Sequence, residues 1–231
     1  MINNILLVED EESIRKFVKI NLERNGFNVF EAESGEEGLD IARNEKIDIV
    51  LLDLMLPGID GFEVCRILRE EISGLGIIML SAKSQDVDKI MGLEYGTDDY
   101  MTKPFNPTEL VLRVKSLARR MEGSKEGEDR KMIEYSPFEI DSYERKFYKE
   151  KEEIELTPTE YSIAKLFMEN PGKAFKRDEI LNLVWGYDFM GDSKIVDVNI
   201  RRLRSKIEEE PSEPFYIETV WGVGYRWKSK E

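Results

Sequence analysis

The chain has 231 residues, 41% of them hydrophobic and 35% charged, a length and composition that favour one large or two ordinary folded domains. One cysteine excludes an intramolecular disulfide framework, and the absence of histidine removes the commonest general base and metal ligand. A net charge of −14 argues against a nucleic-acid binder with a basic surface throughout, so any DNA contact must come from a local patch.

Three features of the sequence bear on where the protein works. The N-terminus lacks the basic flank and apolar core of a secretion signal. No apolar run approaches the roughly 18 residues that a membrane span needs. The lone Cys65 fits a reducing compartment. We therefore expect a soluble, cytoplasmic protein with no membrane partner.

Short apolar runs alternate with segments of helical apolar spacing along the first 121 residues. The runs predict buried strands, and the helical spacing predicts helices that pack on a sheet. Strict alternation predicts an α/β fold, a doubly wound parallel five-stranded sheet with right-handed crossovers. The strands are expected at 4–8, 28–32, 49–52, 77–80 and 99–102, and three of the helices at 61–71, 85–95 and 107–122.

Acidic residues follow the first and third strands. Glu9 and Asp10 come after the first, and Asp53 after the third. Ligands of open α/β sheets bind outside the carboxyl ends of the strands, so we expect these carboxylates to lie together. Crowded carboxylates repel each other unless a cation neutralises them. Oxygen ligands without histidine or cysteine suit Mg²⁺ or Mn²⁺, so the sequence predicts a divalent-cation site.

Two further polar groups follow the last two strands. Ser81 offers a hydroxyl and Lys103 an ammonium, and Pro104 makes the Lys103–Pro104 bond a candidate for the cis form. A carboxylate nucleophile, a divalent cation, a hydroxyl and a lysine predict a phosphoryl-transfer site. Taken singly, each group can also be explained without a site: as a solvated helix start, a helix cap or a surface lysine.

These motifs resemble the receiver domain of bacterial two-component response regulators over residues 1–121. The matching segments are Val8-Glu-Asp10, Asp53-Leu-Met-Leu-Pro-Gly58, Ser81-Ala82, Asp98-Asp-Tyr100 and Lys103-Pro-Phe105. The resemblance implies that Asp53 accepts a phosphoryl group from the phosphohistidine of a sensor histidine kinase. It implies a metal site made by Glu9, Asp10, Asp53 and the backbone carbonyl of Met55. It also implies that Lys103 contacts the phosphoryl group, that Ser81 moves toward it, and that Tyr100 turns inward behind Ser81.

The resemblance also implies a dimer face. A phosphoryl group adds nearly two negative charges, which we expect to repack the surface formed by 85–95, 99–102 and 107–122. Receivers of this kind dimerise through that surface, with expected pairs Lys89–Glu109 and Asp99–Arg113 across a two-fold axis. From composition alone, a solvated mixed-charge face is the alternative. The charged residues concerned are Lys89, Asp98, Asp99, Glu109, Arg113, Lys115 and Arg119.

A charged stretch without large apolar residues runs from Gly123 to Arg130 and predicts a flexible linker at 122–131. A second domain is expected at 132–231. Aromatic and β-branched runs predict a small antiparallel sheet at its start and a hairpin at its end. Three helices between them predict a winged helix-turn-helix of the α+β class. The predicted elements are a sheet within 132–156, helices at 157–170, 177–184 and 193–207, and a hairpin of 216–220 and 225–227.

Two helix starts of the second domain have cap signals. Thr157 and Glu160 have capping-box spacing around Pro158. Ser193 is expected to cap the last helix. From Ser193 to Ile207 that helix holds five Lys or Arg against one acid, the strongest basic stripe of an acidic domain. It predicts a recognition helix in the DNA major groove, with a solvated face as the alternative.

Residues 132–231 resemble the winged-helix effector domain of the OmpR/PhoB class of response regulators. The matching segments are Leu156-Thr-Pro-Thr-Glu-Tyr161, Val184-Trp-Gly186, Val196-Asp-Val-Asn-Ile-Arg-Arg-Leu-Arg-Ser-Lys206 and Thr219-Val-Trp-Gly-Val-Gly-Tyr-Arg226. The resemblance implies that Val198 and Arg202 face base edges. It implies phosphate contacts by Lys194, Arg201 and Arg204. It further implies a hairpin tip near the minor groove, where some relatives have arginine in place of Trp221, and a loop at 186–192 that touches RNA polymerase.

The two resemblances together predict a phosphorylation-activated transcription factor. Asp53 would be phosphorylated, the receivers would pair as a homodimer, and two effector domains would bind direct-repeat half-sites in a promoter. Such a protein turns over no separate substrate, so we do not expect an enzyme. An aspartyl-phosphate phosphatase is one alternative, but it needs an acid where the chain has Met55. A constitutive DNA binder with a silent receiver is the other.

Overall fold

The computed structural model of the protein describes residues 2–82, 95–122, 132–187, 189 and 191–229. The chain divides into two compact units, 1–121 and 122–231. Lys89, nearly all of the helix expected at 85–95 and most of the expected linker lie outside the described residues. Among the described helices, none has the length and apolar character that a membrane crossing requires.

The first unit is a five-stranded parallel sheet in the order β2-β1-β3-β4-β5, which confirms the predicted fold. This order puts the ends of β1 and β3 side by side, at the switch point where ligands bind in such sheets. The strands are β1 Asn4–Val8, β2 Asn28–Ala32, β3 Ile49–Asp53, β4 Gly76–Ser81 and β5 Asp99–Thr102. The described helices are α1 Glu12–Glu23, α2 Gly35–Asn44, α3 Gly61–Glu71 and α4 Pro107–Met121.

Burial on both faces of the sheet explains the unbroken apolar runs. Every residue from Ile49 to Leu52 has no exposed surface, and alternate residues along the strand face opposite layers of helices. One core layer joins β1, β3 and β4 to α1 and α4, and its fully buried members include Ile5, Leu51, Leu22 and Val114. The sheet is therefore a fixed platform for the polar groups that follow its strands.

Close packing just after β3 fixes the position of Asp53. The α3 helix begins at Gly61, whose backbone N–H donates to the Leu54 carbonyl at 3.1 Å. A Cβ atom at Gly61 would lie 2.2 Å from the carbonyl oxygen of Asp53. Any larger residue there would push the helix away from the strand end. The glycine that follows the Pro57-Gly58 turn thus holds the third strand end in place.

The second unit contains two sheets and three helices. The antiparallel sheet β6-β7-β8-β9 comes first, and the three-stranded sheet β10-β12-β11 contains the terminal hairpin. The strands of this unit are β6 Met132–Tyr135, β7 Phe138–Asp141, β8 Lys146–Lys149, β9 Glu152–Ile154, β10 Ala174–Lys176, β11 Ile217–Val220 and β12 Gly224–Trp227. Its helices are α5 Pro158–Met168, α6 Arg177–Val184 and α7 Lys194–Ile207. This arrangement is the predicted winged helix.

One strand and one cap differ from expectation. The sequence did not predict β10, whose three residues pair with β12 and are too few for a periodic pattern. The Thr157 cap is present, and with Glu160 it forms the predicted capping box. The Ser193 cap is wrong, because Ser193 has helical backbone angles and its hydroxyl makes no cap hydrogen bond. The carboxylate of Asp192 instead accepts from the Lys194 N–H at 2.9 Å.

The two caps give a matched pair of substitutions. We expect Thr157→Ala to lower the free energy of unfolding of the second unit by about 1 kcal/mol, because it removes a side-chain acceptor from the first turn of α5. Ser193→Ala should change it by less than about 0.5 kcal/mol. Denaturant titration followed by tryptophan fluorescence measures this unit alone, since all three tryptophans, Trp185, Trp221 and Trp227, belong to it. A larger loss for Ser193→Ala than for Thr157→Ala would contradict the cap assignment.

Candidate functional site

Three carboxylates meet at the carboxyl edge of the first sheet, as predicted. Glu9 follows β1, and its N–H donates to the Ala32 carbonyl at 3.1 Å, extending the pairing of β1 with β2. Asp53 is the last residue of β3. One oxygen each from Glu9, Asp10 and Asp53 lie within 4.8 Å of one another. Glu9 and Asp53 are buried, and Asp10 is exposed.

Lys103 binds two of these acids. Its Nζ lies 2.8 Å from Asp53 Oδ2 and 2.7 Å from Glu9 Oε2. The backbone places it there: the Lys103 N–H donates to the Ser81 carbonyl at 2.7 Å, and the Lys103–Pro104 bond is cis. Burial by itself would lower the pKa of Lys103, but hydrogen bonds to Asp53 and Glu9 outweigh it and hold the pKa above its ordinary value.

The charge balance of this cluster fits a divalent cation. One ammonium faces three carboxylates, which leaves two negative charges at a largely buried edge. Burial raises the pKa of Glu9, and repulsion from Asp53 adds to it, while the hydrogen bond from Lys103 opposes the rise. All donors are oxygen atoms, the ligands that Mg²⁺ and Mn²⁺ prefer. The Met55 N–H donates to Asp53 Oδ1 at 3.2 Å, so its turn adjoins the cluster, and a metal contact by its carbonyl stays a prediction.

Ser81 and Tyr100 lie in the strands that adjoin this edge. Ser81 is the last residue of β4, fully buried and paired in register with Thr102 of β5. Tyr100 pairs in register with Met79 and is only 8% exposed. Its ring is thus already largely buried in the unphosphorylated chain, whereas the resemblance tied inward movement to phosphorylation.

Several charged residues of the expected dimer face bind partners within the same chain. Asp99 binds Arg113 at 2.8 Å, and Arg113 binds Glu109 at 2.6 Å. Asp98 is fully buried and binds Arg69 at 2.7 Å. Asp99 and Arg113 are partners in the same chain and almost fully buried, so they do not form a solvated pair, and their pairing between two copies stays a prediction. Of the remaining residues, Lys115 and Arg119 are exposed.

Sequence reasoning missed Arg120 on the same helix. Arg120 is 5% exposed, and its Nη1 donates to Ser116 Oγ at 3.0 Å. Burial lowers its pKa to about 10, although Asp98 and Asp99 draw it upward. A helix-end arginine usually reads as a surface residue, so only the tertiary structure reveals that it adjoins the two buried aspartates.

The cations of α7 differ in exposure and in their contacts with Glu160. Lys194 and Arg201 are exposed. The Arg202 side chain is 11% exposed, and its Nη2 lies 2.7 Å from Oε1 of Glu160, which has no exposed surface. Lys206 binds the other Glu160 oxygen at 2.8 Å. A buried acid of α5 thus holds the Arg202 guanidinium in the DNA-free chain, and the base-edge role of Arg202 stays a prediction.

Two other residues predicted to contact DNA are buried or bound within the chain, and their DNA contacts stay predictions. Val198 is 8% exposed and belongs to the packed face of α7, so it offers little surface to a thymine methyl. Arg204 donates from Nε to the Ile217 carbonyl at 3.0 Å and from Nη2 to Thr219 Oγ1 at 2.9 Å. These bonds attach the terminal hairpin to the helix. A phosphate contact by Arg204 would compete with them.

A second polar contact joins the hairpin to the start of α7. The Tyr225 hydroxyl donates to Asp197 Oδ1 at 2.7 Å, and Arg177 Nε binds the same oxygen at 2.7 Å. At the hairpin tip Trp221 is 91% exposed, and Gly222 supplies a positive φ of 75° for the turn. The helix and the hairpin are thus held together, with an indole exposed at the tip. In the loop expected to contact RNA polymerase, Tyr187 is 82% exposed, and Asp188 lies outside the described residues.

Comparison with known proteins agrees with both halves of this description. The family described as "Response regulator receiver domain" matches residues 5–115, and "Transcriptional regulatory protein, C terminal" matches residues 151–227. The chain is 44% identical to the alkaline phosphatase synthesis transcriptional regulatory protein PhoP of Bacillus subtilis, over 98% of this chain and 97% of that protein. It is 42% identical to the transcriptional regulatory protein SrrA of Staphylococcus aureus, over 100% of this chain and 97% of that protein.

Solved structures give the same result. DrrB of Thermotoga maritima, described as an OmpR/PhoB homolog, matches with a TM-score of 0.53 and 33% identity over 99% of this chain and 100% of that one. A mutant of RitR matches with a TM-score of 0.78 and 27% identity over the same shares. The chain therefore belongs to the OmpR/PhoB family of two-component response regulators, with a receiver domain followed by a DNA-binding domain.

Proposed function

We propose that this protein is a transcription regulator that a sensor histidine kinase switches on by phosphorylating Asp53. The observation that carries the proposal is the contact of Lys103 with both Glu9 and Asp53 at the strand ends. The phosphorylated receivers pair, and two effector domains bind direct-repeat half-sites of a promoter. The cytoplasm is the compartment in which kinase and DNA are both accessible.

The chemistry assigns a role to each group. An Asp53 oxygen forms a bond to phosphorus, the bond from phosphorus to the kinase imidazole breaks, and its electron pair returns to the imidazole nitrogen. Lys103 binds the phosphoryl oxygens, and the Ser81 hydroxyl donates to them. Glu9, Asp10, Asp53 and the Met55 carbonyl would hold Mg²⁺ or Mn²⁺, whose positive charge would offset the negative charge of the incoming phosphoryl group.

The receiver also contains a route from this site to its outer face. Ser81 and Lys103 are joined by the 2.7 Å backbone hydrogen bond, so a displacement of either residue would act on β5. The same strand carries Tyr100 and Asp99, and Asp99 binds Arg113 of α4. We propose that phosphorylation repacks this face for dimerisation, with Asp99 and Arg113 exchanging their contact within one chain for contacts between two. Exposed Arg119 would join that interface.

DNA recognition falls to the exposed part of α7 and to the hairpin tip. Lys194 and Arg201 bind phosphates, and the tip bearing Trp221 approaches a minor groove. Arg202 and Arg204 hold the helix and the hairpin in shape. The loop at 186–192, with Tyr187 exposed, is the candidate contact for RNA polymerase.

Phosphoryl transfer to Asp53 can be tested without the kinase. We expect the full chain with Mg²⁺ and acetyl phosphate to gain one phosphoryl group in its intact mass, labile to hydroxylamine as an acyl phosphate is. Asp53→Ala should gain none, whereas the matched control Asp40→Asn, an exposed acid of α2, should label normally. Equal labelling of Asp53→Ala, or no labelling of the parent protein, would contradict the proposal.

Substitutions in α7 should distinguish a cation that contacts DNA from one that stabilises the fold. Arg201→Ala should weaken binding to all duplexes alike and reduce the slope of log K against log salt by about 1, because it removes one phosphate contact. Arg202→Ala should instead lower the free energy of unfolding by about 1–3 kcal/mol, less than for an isolated buried pair because Lys206 still binds Glu160. Mobility shifts and denaturant titration measure the two effects. If the Arg202→Ala protein were as stable as the parent and lost only sequence discrimination, that result would show that Arg202 reads base edges.

The hairpin tip has its own spectroscopic reporter. Trp221 is exposed, whereas Trp185 and Trp227 are 1% and 0% exposed. We expect duplex DNA to shift the tryptophan emission and to protect it from acrylamide, because the tip becomes covered. Trp221→Phe should abolish this change while the protein still binds DNA. DNA binding without any change in emission would show that the tip stays in solvent.

A further inference from the structure

Arg15 is a buried cation that the predicted site does not use. It lies in the first turns of α1, and yet it is only 6% exposed. Arginine is almost never fully buried unless its donors are satisfied. Its partners therefore show what the side chain is for.

The guanidinium of Arg15 binds the backbone of the loop that carries two of the three acids. Its Nη1 donates to the Glu9 carbonyl at 2.7 Å and to the Asp10 carbonyl at 3.2 Å. Its Nη2 binds Glu33 Oε1 at 2.6 Å, and its Nε lies 3.8 Å from Glu31 Oε1. One rigid planar group thus ties the loop after β1 to the end of β2.

These contacts fix the backbone from which the acidic side chains project. Glu9 has a second support in its N–H bond to Ala32, but the exposed Asp10 depends on the shape of this loop to meet Asp53. Arginine donates in a fixed fork, so it restrains two successive carbonyls at once, which a lysine ammonium on a flexible stem does less well. Groups that orient metal ligands in this way typically change metal affinity 10–100-fold when removed.

We propose that Arg15 is a positioning residue that holds the Glu9–Asp10 backbone in the geometry needed to bind the divalent cation with Asp53. It touches neither the cation nor the phosphoryl group, and acts only through the two carbonyls. The inference rests on the proposed metal site. We therefore expect substitution of Arg15 to reduce the affinity for the cation more than it reduces the stability of the fold.

The direct test measures Mn²⁺ binding to the full-length protein by electron paramagnetic resonance, without phosphodonor. We expect Arg15→Met to raise the Kd for Mn²⁺ about tenfold or more, and Arg15→Lys to raise it by a smaller factor. Lys19→Met, which removes a cation one turn along α1 that binds Glu31, should stay within about twofold of the parent protein. Acetyl phosphate labelling of Asp53 in Arg15→Met should need more Mg²⁺ but approach the parent rate at saturation.

A stability control separates positioning from a merely structural role. Val18→Ala removes a fully buried side chain from the same helix without touching the acidic loop. It should lower the unfolding midpoint at least as far as Arg15→Lys, with its Mn²⁺ affinity retained. Mn²⁺ affinity lost equally in Val18→Ala, or unchanged in both Arg15 variants, would overturn the inference. Should Arg15→Met fail to fold, Arg15→Lys decides. Absence of Mn²⁺ binding in the parent protein would instead overturn the proposed metal site.

Discussion

The contact of Lys103 with Glu9 and Asp53 is the interaction on which the receiver depends. It brings the ends of β1, β3 and β5 together, although 94 residues separate Glu9 from Lys103 along the chain. One ammonium does not neutralise three carboxylates, so the edge stays short of positive charge. A site with this excess of negative charge attracts a divalent cation. A phosphoryl group on Asp53 would then compete with the carboxylates for Lys103. In the proposed mechanism, charge balance thus links metal binding, phosphorylation and movement at one place.

A similar division of charge organises the second unit. Part of the basic stripe of α7 is bound within the unit, because Glu160 binds Arg202 and Lys206, and the hairpin holds Arg204. These internal contacts fix how the helix and the hairpin present their exposed groups, Arg201 and Trp221. Internal contacts therefore give shape to this unit, and the proposed DNA recognition falls to the exposed groups. Arg15 does the same for the acidic loop of the receiver.

Much of the fold and of the phosphoryl site follows from the sequence, because the groups concerned directly follow short, strongly apolar strands. Asp53 after β3 and Lys103 after β5 could be placed in this way. The partners of arginine side chains could not be predicted from the sequence, because a flexible arginine binds whichever acceptor the tertiary structure brings near. Arg202 does this with Glu160. The choice of Asp192 over Ser193 as cap depends on backbone angles, which a sequence pattern does not encode.

If charge at the receiver edge controls DNA binding by the other domain, phosphorylation of Asp53 must change the affinity for a promoter. The most direct measurement is the affinity of the full chain for one promoter duplex at fixed salt, with and without prior phosphorylation, in the parent protein and in Asp53→Ala. We expect phosphorylation to increase the affinity of the parent protein about 5- to 150-fold, the range of ordinary allosteric coupling, and to leave that of Asp53→Ala unchanged. Equal affinity of the two forms of the parent protein, with Asp53 demonstrably phosphorylated, would contradict this expectation.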